Sequence, residues 1–179
     1  MRLRWIGSAL GAAALLLASC GGEDPQKKIE QDFRSSGVQV EKIAELAAKG
    51  VGAIKPLLKD DRRPVRLAAI NALGSIKGDA EATRLLVELA SGSDVEDAYF
   101  AMIALARQRA AEAKALVEKA FQSSQSRVRE AACIAVAHLG DPALYPLVEK
   151  AATDPDPSVA SAAAGTIRRC KIGEDDSGN

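Results

Sequence analysis

Aromatic residues are scarce, since Phe, Trp and Tyr make up 3% of a sequence that is 47% hydrophobic. The core must therefore be built from alanine, leucine and valine, and side chains of this size favour closely packed helices. An excess of either charge is also missing, because 24 basic residues balance 24 acidic ones. The composition thus provides no electrostatic basis for binding nucleic acid.

No hydrophobic run is long enough to cross a membrane. The longest, from Trp5 to Leu17, has roughly 13 to 15 residues, whereas a spanning helix needs about 20. The run follows Arg2 and Arg4 and precedes the first acidic residue, Glu23, which is the arrangement of a cleaved signal peptide. Cleavage would remove the two arginines, leaving 22 basic against 24 acidic residues and a net charge of −2.

The end of this run resembles the lipobox of bacterial lipoproteins, which it matches at Leu17, Ala18, Ser19 and Cys20. The resemblance implies that Cys20 carries diacylglycerol and becomes the new N-terminus. A third chain, such as palmitate, would then bind the amine and hold the protein firmly on a membrane. Gly21 stands where the family's retention signal has Asp, which implies the outer membrane, facing the periplasm, in a Gram-negative host. The alternative is an ordinary secretory signal with an incidental cysteine.

The rest of the chain is dominated by an internal repeat. The motif Leu-Val-Glu occurs at 86–88, 116–118 and 147–149, at spacings of 30 and 31 residues. A period of about 31 residues leaves room for two helices per unit, so the sequence predicts an all-α solenoid. We expect a signal peptide at 1–19, an acylated tether at 20–28, the solenoid at 29–170 and a disordered acidic tail at 171–179.

Start and stop signals place the individual helices. Proline and aspartate are typical of first turns, so we expect Asp61, Asp94, Asp141 and Asp156 to cap helices. Pro56 and Pro146 should delay or kink the start of two second helices. The predicted helices lie near 26–34, 39–49, 52–59, 64–76, 80–91, 94–107, 109–122, 127–138, 142–152 and 157–169.

Two stretches resemble a known family. "LLKDDRRPVRLAAINALGSIKGDAEATRLLVELA" and "VEKAATDPDPSVASAAAG" are similar to HEAT repeats of the short bacterial type that also occurs in phycobilisome lyases. The similarity covers roughly residues 40–169 and implies a curved stack whose second helices line the concave side. These motifs serve packing between neighbouring repeats and specify no chemistry.

Residues for catalysis are missing from this pattern. HEAT-like iron hydroxylases hold two metal ions with several His-Glu pairs, whereas this chain has one histidine, His138. We expect His138 to be a polar cap or a packed side chain, with titration or metal contact as the alternative. No Ser/His/Asp set and no glycine-rich phosphate loop is recognisable. We therefore predict no enzyme activity, no cofactor and no metal.

Two cysteines and two arginines remain to be placed. Cys133 falls in the alanine stripe of its helix and should be buried and inert. Cys170 lies too far along the next repeat for a disulfide with it. Arg66 and Arg129 follow a valine at equivalent repeat positions, and we expect them to contact acidic turns of neighbouring units.

Polar residues of the second helices form the best candidate binding surface. If Leu86, Leu116 and Leu147 face inward, one outward row remains. This row, the second-helix stripe, consists of Arg84, Glu88, Lys114, Glu118, Tyr145 and Glu149. The favoured hypothesis is a membrane-anchored adaptor that binds an envelope protein or peptide through the stripe. The alternatives are a solvated face without a ligand, a structural subunit of an envelope complex, and an enzyme of the lyase or hydroxylase type.

Overall fold

The computed structural model describes residues 40–175. Within that range it contains nine α-helices, two short 3-10 helices and no strand. The α-helices are α1 (Val40–Ala48), α2 (Val51–Ile54), α3 (Arg63–Leu73), α4 (Ala80–Ala90), α5 (Val95–Gln108), α6 (Ala111–Ala120), α7 (Ser126–Leu139), α8 (Tyr145–Ala151) and α9 (Pro157–Asp175), and the 3-10 helices are Lys55–Lys59 and Pro142–Leu144.

The helices stack as two-helix units. The first helices α1, α3, α5, α7 and α9 pack side by side in that order, and the second helices α4, α6 and α8 each pack against the first helices before and after them. Each unit thus buries its apolar face against its neighbours, which is the construction of an α-solenoid. The predicted all-α HEAT-like solenoid is confirmed.

Helix α5 is the most deeply buried element. All ten residues from Asp97 to Ala106 are buried, because α3, α4, α6 and α7 pack around the helix. This unit departs from the repeat consensus, and it carries the bulky pair Tyr99 and Phe100. The helix predicted near 94–107 is confirmed.

Three of the four predicted aspartate caps are present. Asp94 accepts hydrogen bonds from the backbone N–H groups of Glu96 and Asp97, Asp141 accepts one from Ala143, and Asp156 accepts one from Ser158. The prediction for Asp61 is wrong. Helix α3 begins one residue too late for Asp61 to cap it, so Arg62 occupies that position.

A fourth aspartate cap was not predicted. The carboxylate of Asp79 accepts the N–H of Ala82 at 2.9 Å and begins helix α4. Both internal prolines act as expected. Pro56 lies in the first turn of the 3-10 helix that follows α2, and Pro146 lies in the first turn of α8 after a 3-10 turn.

The C-terminal helix is longer than expected. Helix α9 continues to Asp175, so the predicted helix end near residue 169 is wrong, while the tail at 171–179 stays a prediction. No proline interrupts the chain after Arg169, and adding residues to an existing helix is far easier than starting one. The predicted signal peptide, lipobox, tether and first helix at 26–34 lie outside the described residues, as do residues 176–179.

Candidate partner-binding surface

The second-helix stripe lies on the solvent side of α4, α6 and α8. Its five charged members, Arg84, Glu88, Lys114, Glu118 and Glu149, are all exposed. The inward positions are less uniform than expected, since Leu86 is fully buried but Leu116 and Leu147 are only partly buried. The stripe therefore combines charges with apolar side chains that border it.

Tyr145 differs from the other members of the stripe. It is half-buried and packs against the hydrophobic core. The sequence placed it beside Lys114 because both hold equivalent positions in the repeat, but Tyr145 begins helix α8 directly after a 3-10 turn. The phenol thus contributes to packing as well as to the surface.

Both cations of the stripe are already in ion pairs. Arg84 Nη1 lies 3.4 Å from Glu88 Oε2 one turn along the same exposed helix face, a pair that contributes little to stability. Lys114 Nζ lies 2.7 Å from Asp141 Oδ2. Their hydrogen bond raises the pKa of Lys114 and lowers that of Asp141. Because Asp141 caps the 3-10 helix that precedes α8, Lys114 also connects two neighbouring repeats.

Arg129 connects the last two units. Its Nε and Nη2 each donate to the carboxylate of Asp154 at 2.8 Å, and its Nη1 donates to the carbonyl of Ser123 at 2.9 Å. The guanidinium therefore spans the turn before α7 and the turn before α9. This bidentate geometry is the strongest form of ion pair that arginine makes with a carboxylate.

Arg66 makes the equivalent connection between α3 and α5. Its Nε lies 3.1 Å from Asp97 Oδ2 and its Nη2 lies 3.4 Å from Asp94 Oδ2, while Nη1 donates to the carbonyls of Asp60 and Asp61. Burial raises the pKa of Asp97, with Arg66 opposing the shift. The prediction that Arg66 and Arg129 contact acidic residues of neighbouring units is confirmed.

A row of alternating charges beside these arginines was not predicted. Arg63 Nη2 lies 2.8 Å from Glu96, Glu96 lies 3.3 Å from Arg127, and Arg127 lies 2.8 Å from Glu130. The row passes over buried Tyr99, whose ring centroid is 3.7 Å from the guanidinium carbon of Arg127. The only signal in the sequence was the spacing of about one repeat between opposite charges.

The pKa values of Cys133 and His138 are both shifted toward the uncharged form of the side chain. Burial raises the pKa of the Cys133 thiol to about 12, so the inert role predicted for it is supported. Cys133 and Cys170 are both free thiols. Burial, with Arg107 and Arg169 nearby, lowers the pKa of His138 to about 4. The imidazole is therefore neutral at pH 7.

In the stretch from residue 40 to residue 175, no three His, Cys, Asp or Glu side chains are grouped so that they could hold a metal ion. No helix in the same stretch combines the length and the apolar character needed to span a membrane.

Comparison with known families agrees with the observed stacking. The family model for HEAT repeats matches residues 83–168, which covers α5 to α8 and most of α4 and α9. A comparison with curated proteins found no match. HEAT repeats generally serve as protein-interaction scaffolds, and this general role is all that the match supports.

Proposed function

We propose that this chain is a lipid-anchored scaffold of the bacterial cell envelope, which binds a protein or peptide through the second-helix stripe. The observation that carries the proposal is that three consecutive second helices expose charged side chains in register. A surface of this kind offers repeated contact points to an extended partner, which is how solenoids bind.

The first helices are less suited to this role. Their N-terminal charges already pair with one another through Arg63, Glu96, Arg127 and Glu130, and breaking such pairs to bind a partner would cost free energy. Glu118 and Glu149 of the stripe, by contrast, form no salt bridge with any side chain in the described range. Both carboxylates are exposed and can pair with a basic group of the partner.

The binding test uses charge reversal at these two glutamates. Glu118→Lys with Glu149→Lys should leave the melting temperature nearly unchanged, because exposed substitutions alter stability by about 0.5 kcal/mol or less. Crosslinking pull-down from membranes should then lose the partner. The matched control is Glu45→Lys with Asp61→Lys, two exposed acids outside the stripe, which adds the same charge. Loss of the partner in the control, with retention in the stripe variant, would refute the assignment.

The membrane anchor needs a separate experiment, because it depends on Cys20 and the residues before it. Metabolic labelling with a fatty-acid analogue should mark the wild-type protein and leave Cys20→Ala unmarked. The variant should also move from the membrane fraction to the soluble fraction while keeping its helical circular dichroism. Equal labelling of both proteins would show that Cys20 is not acylated and would leave the binding surface as a separate question.

A further inference from the structure

Three successive turns of the solenoid carry an exposed cation. Each of these turns directly follows a first helix, and the cations are Lys49 after α1, Lys77 after α3 and Arg109 after α5. We call these three residues the turn row. None of them forms a salt bridge with a side chain in the described range. Their charges therefore face water without a paired carboxylate.

Contacts between neighbouring units bring these turns to one edge of the solenoid. Gln108 Nε2 donates to the carbonyls of Leu73 at 2.8 Å and Ile76 at 2.9 Å, which holds the second turn against the end of α5. Lys55 Nζ lies 2.8 Å from Glu81 Oε1, which joins the segment after the first turn to the start of α4. Because α1, α3 and α5 pack side by side, their C-terminal ends follow one another at about 8 to 10 Å.

The backbone at Arg109 is unusual for an arginine. Its φ is 54°, and no other non-glycine residue in the described range has a positive φ. Gly78 and Gly140 hold the equivalent left-handed position in the units before and after, each directly preceding the N-cap of the next helix. Glycine adopts this conformation without strain, so the turn itself does not require an arginine. The strained backbone points to a role for the charge.

The acids near this edge leave the cations in excess. Asp79 accepts the N–H of Ala82 and begins α4, and Asp141 pairs with Lys114. Glu112, in the first turn of α6, is exposed and offsets one of the three positive charges. The turn row therefore keeps a positive surface at the C-terminal ends of the first helices, where such charge also suits the helix dipoles.

We propose that the turn row docks the solenoid onto anionic lipid headgroups, so that this edge lies on the membrane. The inference rests on the proposed lipid anchor at Cys20, which would keep a lipid surface within reach. The 19 residues between Cys20 and Val40 can span at most about 70 Å, so docking is an intramolecular step. An acidic protein offers the same charge but not this constant proximity.

The charge of the turn row suits orientation better than capture. Each cation at an anionic surface strengthens attachment about fivefold, and three together about a hundredfold. That factor is too small to hold an untethered protein on a membrane, but it is large enough to orient a tethered one. Ile76 and Leu139, at the ends of two first helices, are only partly buried and can add apolar contact in the headgroup region.

Lysine modification would report this orientation. The mature lipidated chain is floated with vesicles of phosphatidylcholine, alone or mixed with phosphatidylglycerol, and treated with an amine-reactive ester before mass spectrometry. Flotation with the neutral vesicles tests the anchor independently of the turn row. On the anionic vesicles Lys49 and Lys77 should react about tenfold more slowly than on the neutral ones, and high salt should abolish this protection. Lys119 and Lys150, exposed at the ends of α6 and α8 on the opposite edge, should react alike on both.

A pair of double variants separates the turn row from charge in general. Lys49→Gln with Arg109→Gly keeps Lys77 as the reporter and should reduce its protection at least about fivefold. This variant should stay folded, because glycine suits the left-handed backbone at position 109. Lys119→Gln with Lys150→Gln removes the same charge from the opposite edge and should leave the protection of Lys77 unchanged.

The outcomes distinguish the turn row from the anchor. If the chain floats with both kinds of vesicle but Lys77 reacts equally on both, the anchor stands and the docking is overturned. The docking is also overturned if the opposite-edge variant loses as much protection as the turn-row variant. Protection in whole envelopes but not on vesicles would identify an acidic protein instead and overturn the lipid assignment. Flotation with anionic vesicles alone would support the turn row and refute the anchor, and flotation with neither would refute both.

Discussion

Replacing Tyr99 with alanine should be among the most destabilising changes in the described part of the chain. The side chain is 0% exposed and lies in α5, which has neighbours on all sides. Its ring contacts Phe100 edge-on at 4.9 Å between centroids, and Arg127 stacks above it at 3.7 Å. Truncation removes the ring and leaves a cavity, which typically costs about 3 to 5 kcal/mol for an aromatic residue. Loss of the cation–π contact adds about 1 kcal/mol.

Tyr99→Phe is the matched comparison, because it removes only the hydroxyl. The hydroxyl contacts Glu130 Oε1 at 3.5 Å, the outer limit for a hydrogen bond, so we expect a loss of about 0.5 to 1 kcal/mol. The ring, its packing and the contact with Arg127 all remain. The difference between the two variants therefore measures the packing of the ring rather than its polar group.

Urea unfolding followed by circular dichroism would measure both variants. A loss of about 4 kcal/mol is a large part of the 5 to 15 kcal/mol that stabilises an ordinary domain. Because each repeat contacts only its neighbours, damage to this central unit should also broaden the transition or split it. The reasoning would be refuted if Tyr99→Ala cost less than about 1 kcal/mol, or no more than Tyr99→Phe.

Two further changes test other parts of the packing. Gly74→Ala should lower the melting temperature, because an added Cβ would lie 2.8 Å from the Cβ of Ala104. Gly52→Ala is the control: its added Cβ would have no neighbour within 4 Å, so the melting temperature should stay unchanged or rise. Equal melting temperatures for the two variants would show that α3 and α5 can move apart. In the folded chain His138 has a pKa of about 4, below the value of about 6.5 expected for the unfolded chain. Between these two pH values the unfolded chain binds more protons, so the stability of the fold should fall as the pH drops from 6.5 toward 4. His138→Gln, measured by thermal melts in anion-poor buffer, should remove this part of the pH dependence, and an unchanged profile would mean that other groups cause it.

Local signals predicted the helices well and their ends less well. Asp94, Asp141 and Asp156 cap helices as expected because a cap needs only the next two or three residues. Asp61 does not cap α3 because the helix begins at Arg63, which leaves Arg62 at the N-cap position. The end of α9 was placed too early although no proline or other stop signal follows Arg169 within the helix. Helix ends depend on small free-energy differences that a short sequence pattern cannot resolve.

For the second-helix stripe, too, the sequence predicted some features and missed others. Exposure of Arg84, Glu88, Lys114, Glu118 and Glu149 followed from helical periodicity, which determines which side of a helix faces water. The pairing of Lys114 with Asp141 did not follow, because those residues are 27 positions apart. The half-buried position of Tyr145 did not follow either, since it depends on the 3-10 turn that precedes α8.

The sequence by itself determined the all-α architecture, the period of about 31 residues and the outward face of the second helices, because all three depend on the order of apolar residues along one or two helices. Only the tertiary structure decided which polar groups meet: Arg66 with Asp97, Arg129 with Asp154, and Tyr99 with Glu130. These relations join different repeats across 25 to 31 residues. They depend on how far each helix slides along its neighbour, and a shift of one turn, about 5.4 Å, would pair different residues.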